Sequence, residues 1–310
     1  MAIVQTDVPM TSALCEQTIG ELLRRYPAFQ SESLTTTAFG RPVLSLVIGE
    51  GSRKVIYSAA HHANEWITTP VLLKFLEELA QASEQKTTIF GVPAENILKA
   101  ATIYAVPMVD PDGVDLVTGA IEPGTLEYET ARTLADNYPN IPFPEGWKAN
   151  LLGVDLNLQY PAGWLRAREI KFSQGFTKPG PRDYVGRAPL NQRESIALAQ
   201  YTEAVNPALV IAYPTQGEVI YWQFQGYVVP GARALAEEFA RLSGYALEDT
   251  PYESSFAGYK DWFIQNWRRP GFTIESGSGE SPLPLSQFDK IYNANLGILV
   301  TGATGLPAGT

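Results

Sequence analysis

The sequence predicts an α/β protein, with a mixed, mostly parallel β-sheet flanked by helices in a single domain. Short runs rich in β-branched residues alternate with stretches of helical periodicity, a pattern typical of a sheet covered by helices. No internal repeat, low-complexity segment or linker divides the 310 residues. We therefore expect one domain over residues 1–310, in which residues 1–40 form an N-terminal helix and a lead-in.

Apolar runs bounded by turn residues predict the strands, at residues 54–60, 102–109, 208–213, 219–222 and 271–275. Apolar residues at helical spacing predict helices at residues 12–26, 193–205, 231–244 and from Leu285 onward. Pro27 stops the first of these helices. Another helix follows the 54–60 strand, with Thr68 or Thr69 as its N-cap and Pro70 in its first turn.

Two stretches, at about residues 110–150 and 158–192, are rich in Pro, Gly and aromatic residues and are predicted to be ordered loops. The second loop is basic, although the chain as a whole has a net charge of -10. Its cationic residues are Arg166, Arg168, Lys171, Lys178, Arg182 and Arg187. Such a loop could attract a small anionic ligand, or it could simply be solvated and paired with acidic neighbours.

Composition excludes several classes of function. The acidic net charge argues against a nucleic-acid partner and against binding to an anionic membrane surface. No apolar run reaches the ~20 residues of a membrane-spanning helix, and the first thirty residues do not resemble a signal peptide. We therefore expect a cytoplasmic protein. The single cysteine, Cys15, lies in an apolar helical pattern and is expected to be a buried hydrophobic residue.

The segment HHANEW, residues 61–66, contains both histidines of the chain and follows a predicted strand. His62 and Glu65 stand three residues apart, so a turn would let imidazole and carboxylate converge on one cation. Zinc accepts such nitrogen and oxygen ligands. By itself the spacing is a weak signal, because a buried histidine that is hydrogen-bonded near a turn would leave the same pattern.

Longer motifs strengthen the metal interpretation. HHANEWITTPVLLKFLE resembles the zinc-binding segment of the M14 metallocarboxypeptidases. Further motifs resemble the bacterial branch of that family that cuts γ-D-glutamyl-L-diamino acid bonds in muropeptides. They are VPMVDPDGVDLV, GVDLNLQYPAGW, TQGEVIYW, FAGYKDWF and RPGFTIESGSGESPLPLSQF, in order from about residue 40 to residue 300. The resemblance implies a carboxypeptidase-like fold, a zinc ion and a small acidic peptide or muropeptide as substrate.

The resemblance also implies roles for individual residues. His62 and Glu65 correspond to zinc ligands, and Glu275 corresponds to the general base that takes a proton from water. Asn157 corresponds to a residue that holds the terminal carboxylate of the substrate. Asp261 corresponds to the specificity pocket, and Tyr252 lies near the position of a mobile tyrosine. A purely structural role competes with each of the last three assignments.

The sequence departs from the family at the third zinc ligand. Where relatives read AYHTQGE, this chain reads AYPTQGE, with Pro214 at the position of the histidine. His61 could rotate toward the metal only against the alternation of side chains along a strand. The remaining substitutes are Thr215, Gln216, Glu218 or additional waters. We therefore expect zinc to bind weakly.

A second departure concerns positive charge. Relatives commonly place an arginine shortly before the GVDLN motif, and Leu151 and Leu152 occupy that region here. Neither leucine can stabilise an oxyanion.

Two functions follow from these observations. The first is a zinc peptidase of the muropeptide-cleaving type, impaired by the loss of a ligand, and the second is a catalytically inactive relative that binds muropeptides. A hydrolase with a serine or cysteine nucleophile is disfavoured, because the chain has no G-x-S-x-G motif and Cys15 has no evident partner.

Overall fold

A computed structural model of the protein describes residues 2–306, so the two ends of the predicted 1–310 domain lie outside the described residues. The strands are β1 (Gln30–Thr36), β2 (Pro42–Gly49), β3 (Arg53–Ala59), β4 (Thr88–Ile89), β5 (Val92–Pro93), β6 (Ala101–Val106), β7 (Leu209–Tyr213), β8 (Val219–Tyr221), β9 (Ala246–Glu248) and β10 (Gly271–Glu275). All except β4 and β5, which pair with each other, form one eight-stranded sheet in the order β1-β2-β6-β3-β7-β10-β8-β9.

The α-helices are α1 (Ser12–Arg25), α2 (Thr68–Gln85), α3 (Ala94–Ala100), α4 (Pro111–Thr118), α5 (Leu126–Ala135), α6 (Trp164–Ser173), α7 (Arg193–Val205), α8 (Ala232–Ser243), α9 (Tyr259–Trp267) and α10 (Phe288–Thr304). Short 3-10 helices cover Ala63–Glu65, Leu156–Leu158, Tyr252–Ser254 and Leu285–Gln287. The predicted α/β class with a mixed, mostly parallel sheet is confirmed.

The centre of the sheet is parallel. β6, β3, β7 and β10 run side by side in one direction, with Tyr57 opposite Ile211 and Ile211 opposite Phe272. The pairs β1–β2, β2–β6 and β8–β10 are antiparallel. Parallel strands end at the same edge of a sheet, so the residues that follow β3, β7 and β10 are brought close together.

The sheet is buried on both faces, as expected for parallel strands. Along β3, Val55 and Tyr57 pack in one hydrophobic cluster while Ile56 packs in another, following the alternation of side chains along a strand. Helices α2, α8 and α10 cover the first face, and α7 and α9 cover the second. Cys15 lies in the first cluster, so its prediction as a buried hydrophobic residue is confirmed.

The two predicted long loops were only partly loops. Residues 110–150 contain α4 and α5, and residues 158–192 contain α6. The start signals are visible in the sequence: the Asp110 side chain accepts from the Gly113 N–H ahead of Pro111, and Thr125 caps α5 in the same way. The loop prediction rested on the high Pro and Gly content of the two stretches, which does not exclude short helices.

The N-cap prediction for α2 was wrong. Helix α2 begins at Thr68 after Ile67, which makes no side-chain cap, because the 3-10 turn of Ala63–Glu65 runs almost directly into the helix. None of the helices within residues 2–306 is long and apolar enough to cross a membrane.

Candidate active site

The carboxyl ends of three adjacent parallel strands form the floor of a cleft. His62 comes shortly after β3, Pro214 directly follows β7, and Glu275 is the last residue of β10. The cleft encloses about 230 Å³. Among its lining residues are His62, Lys148, Asp155, Asn157, Lys171, Arg182, Lys260, Asp261 and Glu275.

His62 and Glu65 converge because the 3-10 turn between them places both side chains on one side. Nδ1 of His62 lies 3.1 Å from Oε1 of Glu65. Two ligands at about 2.1 Å from one tetrahedral zinc are separated by roughly 3.4 Å, so this spacing suits a shared cation. Both atoms are buried and lack a hydrogen-bond partner.

Asp155 and Thr215 hold the other sides of these two groups. Oδ1 of Asp155 lies 3.0 Å from Nε2 of His62 and fixes the orientation of the ring. The backbone N–H of Thr215 donates to Oε2 of Glu65 at 3.1 Å. We call the His62–Glu65 pair the metal half-site. Each of its two side chains is held in position by one of these contacts.

Lys148 brings a positive charge to the same place. Its Nζ lies 2.9 Å from Oε1 of Glu65, an ion pair by distance whose angles do not make a hydrogen bond. The expectation that Leu151 and Leu152 supply no positive charge stands, but a lysine close to them in sequence brings one to the site. Leu151 is buried in a separate hydrophobic cluster and Leu152 is exposed, while Lys148, in the quoted segment WKANLLGVDLN, reaches the site instead.

The charges in the half-site reinforce one another. Burial would lower the pKa of His62, but the carboxylates of Glu65 and Asp155 outweigh burial and raise it to about 10. Burial would raise the pKa of Glu65, but Lys148 and His62 lower it to about 2. Glu65 is therefore an anion between two cations when no metal is bound.

The pKa of Glu275 is shifted in the opposite direction from that of Glu65. Burial and the negative charge of Glu65 raise its pKa to about 7, against the opposing charges of Lys148 and His62. A carboxyl group with a pKa near neutrality can accept a proton from a reactant and return it at physiological pH.

The residues present do not fit a zinc site with three protein ligands. Pro214 offers no side-chain donor at the end of β7. Over residues 2–306, no group of three or more His, Cys, Asp or Glu side chains is arranged to hold a metal ion. Within residues 2–306, the His62–Glu65 pair presents two buried atoms without hydrogen-bond partners, 3.1 Å apart.

None of the side chains considered as a substitute for the third zinc ligand is placed beside His62 and Glu65 as a free ligand. His61 packs against the rings of Tyr160 and Tyr259, and burial lowers its pKa to about 3. The Thr215 hydroxyl hydrogen-bonds Ser281 at 2.7 Å, and the Glu218 carboxylate pairs with Lys290. Gln216 is exposed.

The predicted substrate-binding residues are placed differently from one another. Asn157 and Asp261 line the cleft. Oδ1 of Asn157 accepts from the Tyr259 N–H at 3.0 Å, which leaves the amide NH₂ as the group available to a ligand. Tyr252 does not line the cleft; it is 53 % exposed, and its hydroxyl accepts from Nε of Arg166 at 3.0 Å. The roles of all three stay predictions.

The basic segment 158–192 divides into two groups. Lys171 and Arg182 line the cleft, and both pair with Asp183. Arg166 is exposed and pairs with Glu169 outside the cleft. Sequence analysis missed Asp155, Asp183 and Lys260 as cleft residues; a carboxylate two residues before Asn157 in the GVDLN motif was the available signal for Asp155.

Comparisons with known proteins agree with this architecture. The family model described as zinc carboxypeptidase, Peptidase_M14, matches residues 15–297. Gamma-D-glutamyl-L-diamino acid endopeptidase 1 of Lysinibacillus sphaericus is 45% identical over 284 residues, which is 92% of this chain and 69% of that protein.

Solved structures share the fold at low identity. Carboxypeptidase A from Helicoverpa armigera superposes with a TM-score of 0.69 at 18% identity, over 97% of this chain and 75% of that one. The murein-tripeptide amidase MpaA from Escherichia coli O157 superposes with a TM-score of 0.55 at 16% identity, over 90% and 93% of the two chains.

The eight-stranded mixed sheet covered by helices is the fold of a carboxypeptidase. The chain belongs to the M14 zinc carboxypeptidase family, as the family match and the 45% identical relative show.

Proposed function

We propose that the protein acts on peptidoglycan-derived peptides with a γ-D-glutamyl bond to a diamino acid, as a peptidase with strongly impaired hydrolysis. The observation that carries the substrate class is the 45% identity to a γ-D-glutamyl-L-diamino acid endopeptidase over most of the chain. The cleft is lined both by cations, at Lys148, Lys171, Arg182 and Lys260, and by carboxylates, at Asp155, Asp183, Asp261 and Glu275, so it offers partners for the carboxylates and the ammonium groups of such a peptide.

Glu275 is the residue that we assign to proton transfer. It lies in the cleft with His62 and Lys148, and its pKa of about 7 suits a group that takes a proton from water and passes it to a leaving amine. Lys148, 2.9 Å from Glu65, is the residue that we assign to stabilising the negative charge that develops on the scissile carbonyl.

Hydrolysis would be impaired because the metal half-site supplies only two of the usual three zinc ligands. A catalytic zinc is ordinarily held by three protein ligands, and here only His62 and Glu65 offer suitable atoms. Zinc, the cofactor of the family, would then be held weakly and be lost readily on purification.

A second candidate function is recognition without hydrolysis. The favouring observation is that the charge of Glu65 is already balanced by Lys148 and by the protonated ring of His62, which Asp155 holds in place, so that the site needs no metal for charge balance. In that case the cleft would serve only to bind muropeptides.

The two functions are separated by measuring cleavage and binding of one peptide. We would incubate L-Ala-γ-D-Glu-meso-diaminopimelate with the protein, with added zinc or with EDTA, and quantify products by mass spectrometry. Slow, zinc-dependent cleavage that disappears in Glu275→Gln supports the impaired peptidase. Binding by calorimetry with no cleavage supports the second function, and the absence of both overturns both.

The location and the remaining partners are also proposals. A cytoplasmic protein of this kind would meet small peptides released from the cell wall rather than the intact polymer.

A further inference from the structure

One of the residues that line the cleft is a phenylalanine that also has contacts outside it. Phe256 lines the cavity that contains Glu275, and it lines a second pocket of about 360 Å³ as well. Its half-buried side chain packs against two of the hydrophobic clusters of the protein. The position of the Phe256 ring therefore depends on groups that are not themselves part of the cleft.

Four side chains form a continuous stack that ends at Phe256. The guanidinium of Arg268 lies 3.7 Å from the centre of the Tyr227 ring. The rings of Tyr227 and Phe224 are stacked with their centres 5.6 Å apart, and Phe224 meets Phe256 edge-on with 6.4 Å between the ring centres. Contacts of these kinds are attractive and depend on the orientation of the rings. We call these four side chains the aromatic stack.

The backbone limits the Phe256 ring on another side. An added Cβ at Gly163, where φ is +69°, would lie 2.7 Å from Cδ1 of Phe256, so the ring closely approaches the backbone there. The N–H of the next residue, Ala257, donates to the carbonyl of Ala162 at 2.8 Å. The ring is thus held between the backbone at Gly163 and the ring of Phe224.

The loop that supplies Phe224 and Tyr227 lies at the surface. Within residues 222–230, Phe224 is the one buried residue, and Val228 is 84% exposed. The carbonyl of Gln223 in this loop accepts from Nζ of Lys260, which lines the cleft as well. The loop therefore adds little apolar burial to the fold, and two of its inward contacts are made with cleft residues.

We propose that Phe224 and Tyr227 are positioning residues for ligand binding, which hold the Phe256 ring against the cleft from outside. Without this support the ring would occupy several orientations, and a ligand would have to fix one of them on binding. Affinity would fall although neither positioning residue lines the cleft. This inference rests on the proposed function, because the ligand is the peptide assigned to the cleft.

The test is calorimetric binding of L-Ala-γ-D-Glu-meso-diaminopimelate in EDTA, so that cleavage does not interfere. Tyr227→Ala should weaken binding about fivefold, the equivalent of one aromatic contact. Tyr227→Phe keeps the ring and should bind like wild type. Val228→Ala is the matched control, because it changes the next residue of the loop, whose side chain is exposed. Thermal unfolding without peptide checks that each variant is folded.

A double-mutant cycle separates positioning from general packing of the loop. If Tyr227 acts through Phe256, Tyr227→Ala should cost no further affinity in a protein that already carries Phe256→Ala. Additive losses, or wild-type affinity in Tyr227→Ala, overturn the inference and leave the proposed function standing. If Tyr227→Ala does not fold, Tyr227→Leu, which keeps apolar bulk without a ring, takes its place with the same expected loss. Failure of wild type to bind the peptide overturns the inference and the proposed function together.

Discussion

Nδ1 of His62 and Oε1 of Glu65 face each other across 3.1 Å, and neither atom has a hydrogen-bond partner. Without a metal, the protonated ring of His62 balances the charge of Glu65 across this gap, and a metal ion would bind the pair by displacing that proton. Lys148 supplies a cation from one side only. The pair therefore retains the geometry of a metal half-site although Pro214 removes the third ligand.

Pro214→His should raise zinc affinity by at least an order of magnitude. The substitution puts an imidazole at the end of β7, next to Thr215, whose N–H contacts Glu65. Histidine tolerates the φ near ~-65° that proline imposes. Calorimetric zinc titration measures the gain in affinity. Pro214→Ala is the control, because it removes the proline ring without adding a side-chain metal ligand. Tight zinc binding by wild type, unchanged in the histidine variant, would mean that another group completes the site.

Glu275→Gln should stabilise the metal-free protein at alkaline pH. The folded pKa of about 7 exceeds the ordinary value of 4.5, so wild-type stability is fully present below pH ~4.5 and falls as the pH rises toward 7. Glutamine cannot ionise. The gain in the free energy of unfolding should approach about 3 kcal/mol above pH 7 and vanish below pH ~4.5.

Urea unfolding in EDTA at several pH values measures this gain. Glu280→Gln is the matched control, because Glu280 is an exposed carboxyl in the loop that follows β10. A constant difference between Glu275→Gln and wild type from pH 4 to pH 8 would contradict the linkage.

Lys148→Met should destabilise the metal-free protein by about 2 kcal/mol, because it leaves the buried carboxylate of Glu65 without its strongest counter-charge. Lys148→Arg keeps the charge and should cost less. Lys99→Met removes the lysine of an exposed ion pair and should change stability little. Chemical unfolding at pH 7 ranks the three variants, and equal effects of Lys148→Met and Lys99→Met would show that Lys148 does not neutralise Glu65.

Arg182→Glu should weaken binding of a peptide that contains γ-D-glutamate by about tenfold and lessen its dependence on salt. Arg182 lines the cleft, whereas Arg166 lies outside and pairs with Glu169, so Arg166→Glu should leave affinity almost unchanged. Titrations at low and high ionic strength compare the two variants. The same loss of affinity in both variants would indicate a diffuse electrostatic effect. No loss in either would show that the basic segment 158–192 does not take part in binding the peptide.

Part of the site was predictable from local sequence. His62 and Glu65 are three residues apart, and the strand before them and the strand that ends at Glu275 have clear apolar patterns. Strands of this kind in a parallel sheet carry their functional residues to one edge. Helices α4, α5 and α6 were missed because Pro- and Gly-rich flanks hid short helices whose caps are local and whose periodicity is brief.

The sequence by itself determined the α/β class and the family, and it limits the number of imidazole groups available to a metal. A chain with only two adjacent histidines cannot supply another imidazole, whatever its fold. Only the tertiary structure decided that Lys148 lies against Glu65, that Asp155 orients His62, and that Arg182 faces the cleft while Arg166 does not. These contacts join residues far apart in the chain, and no periodicity or spacing encodes which long side chain reaches a given buried charge. Their geometry depends on how the segments pack over the ends of the strands.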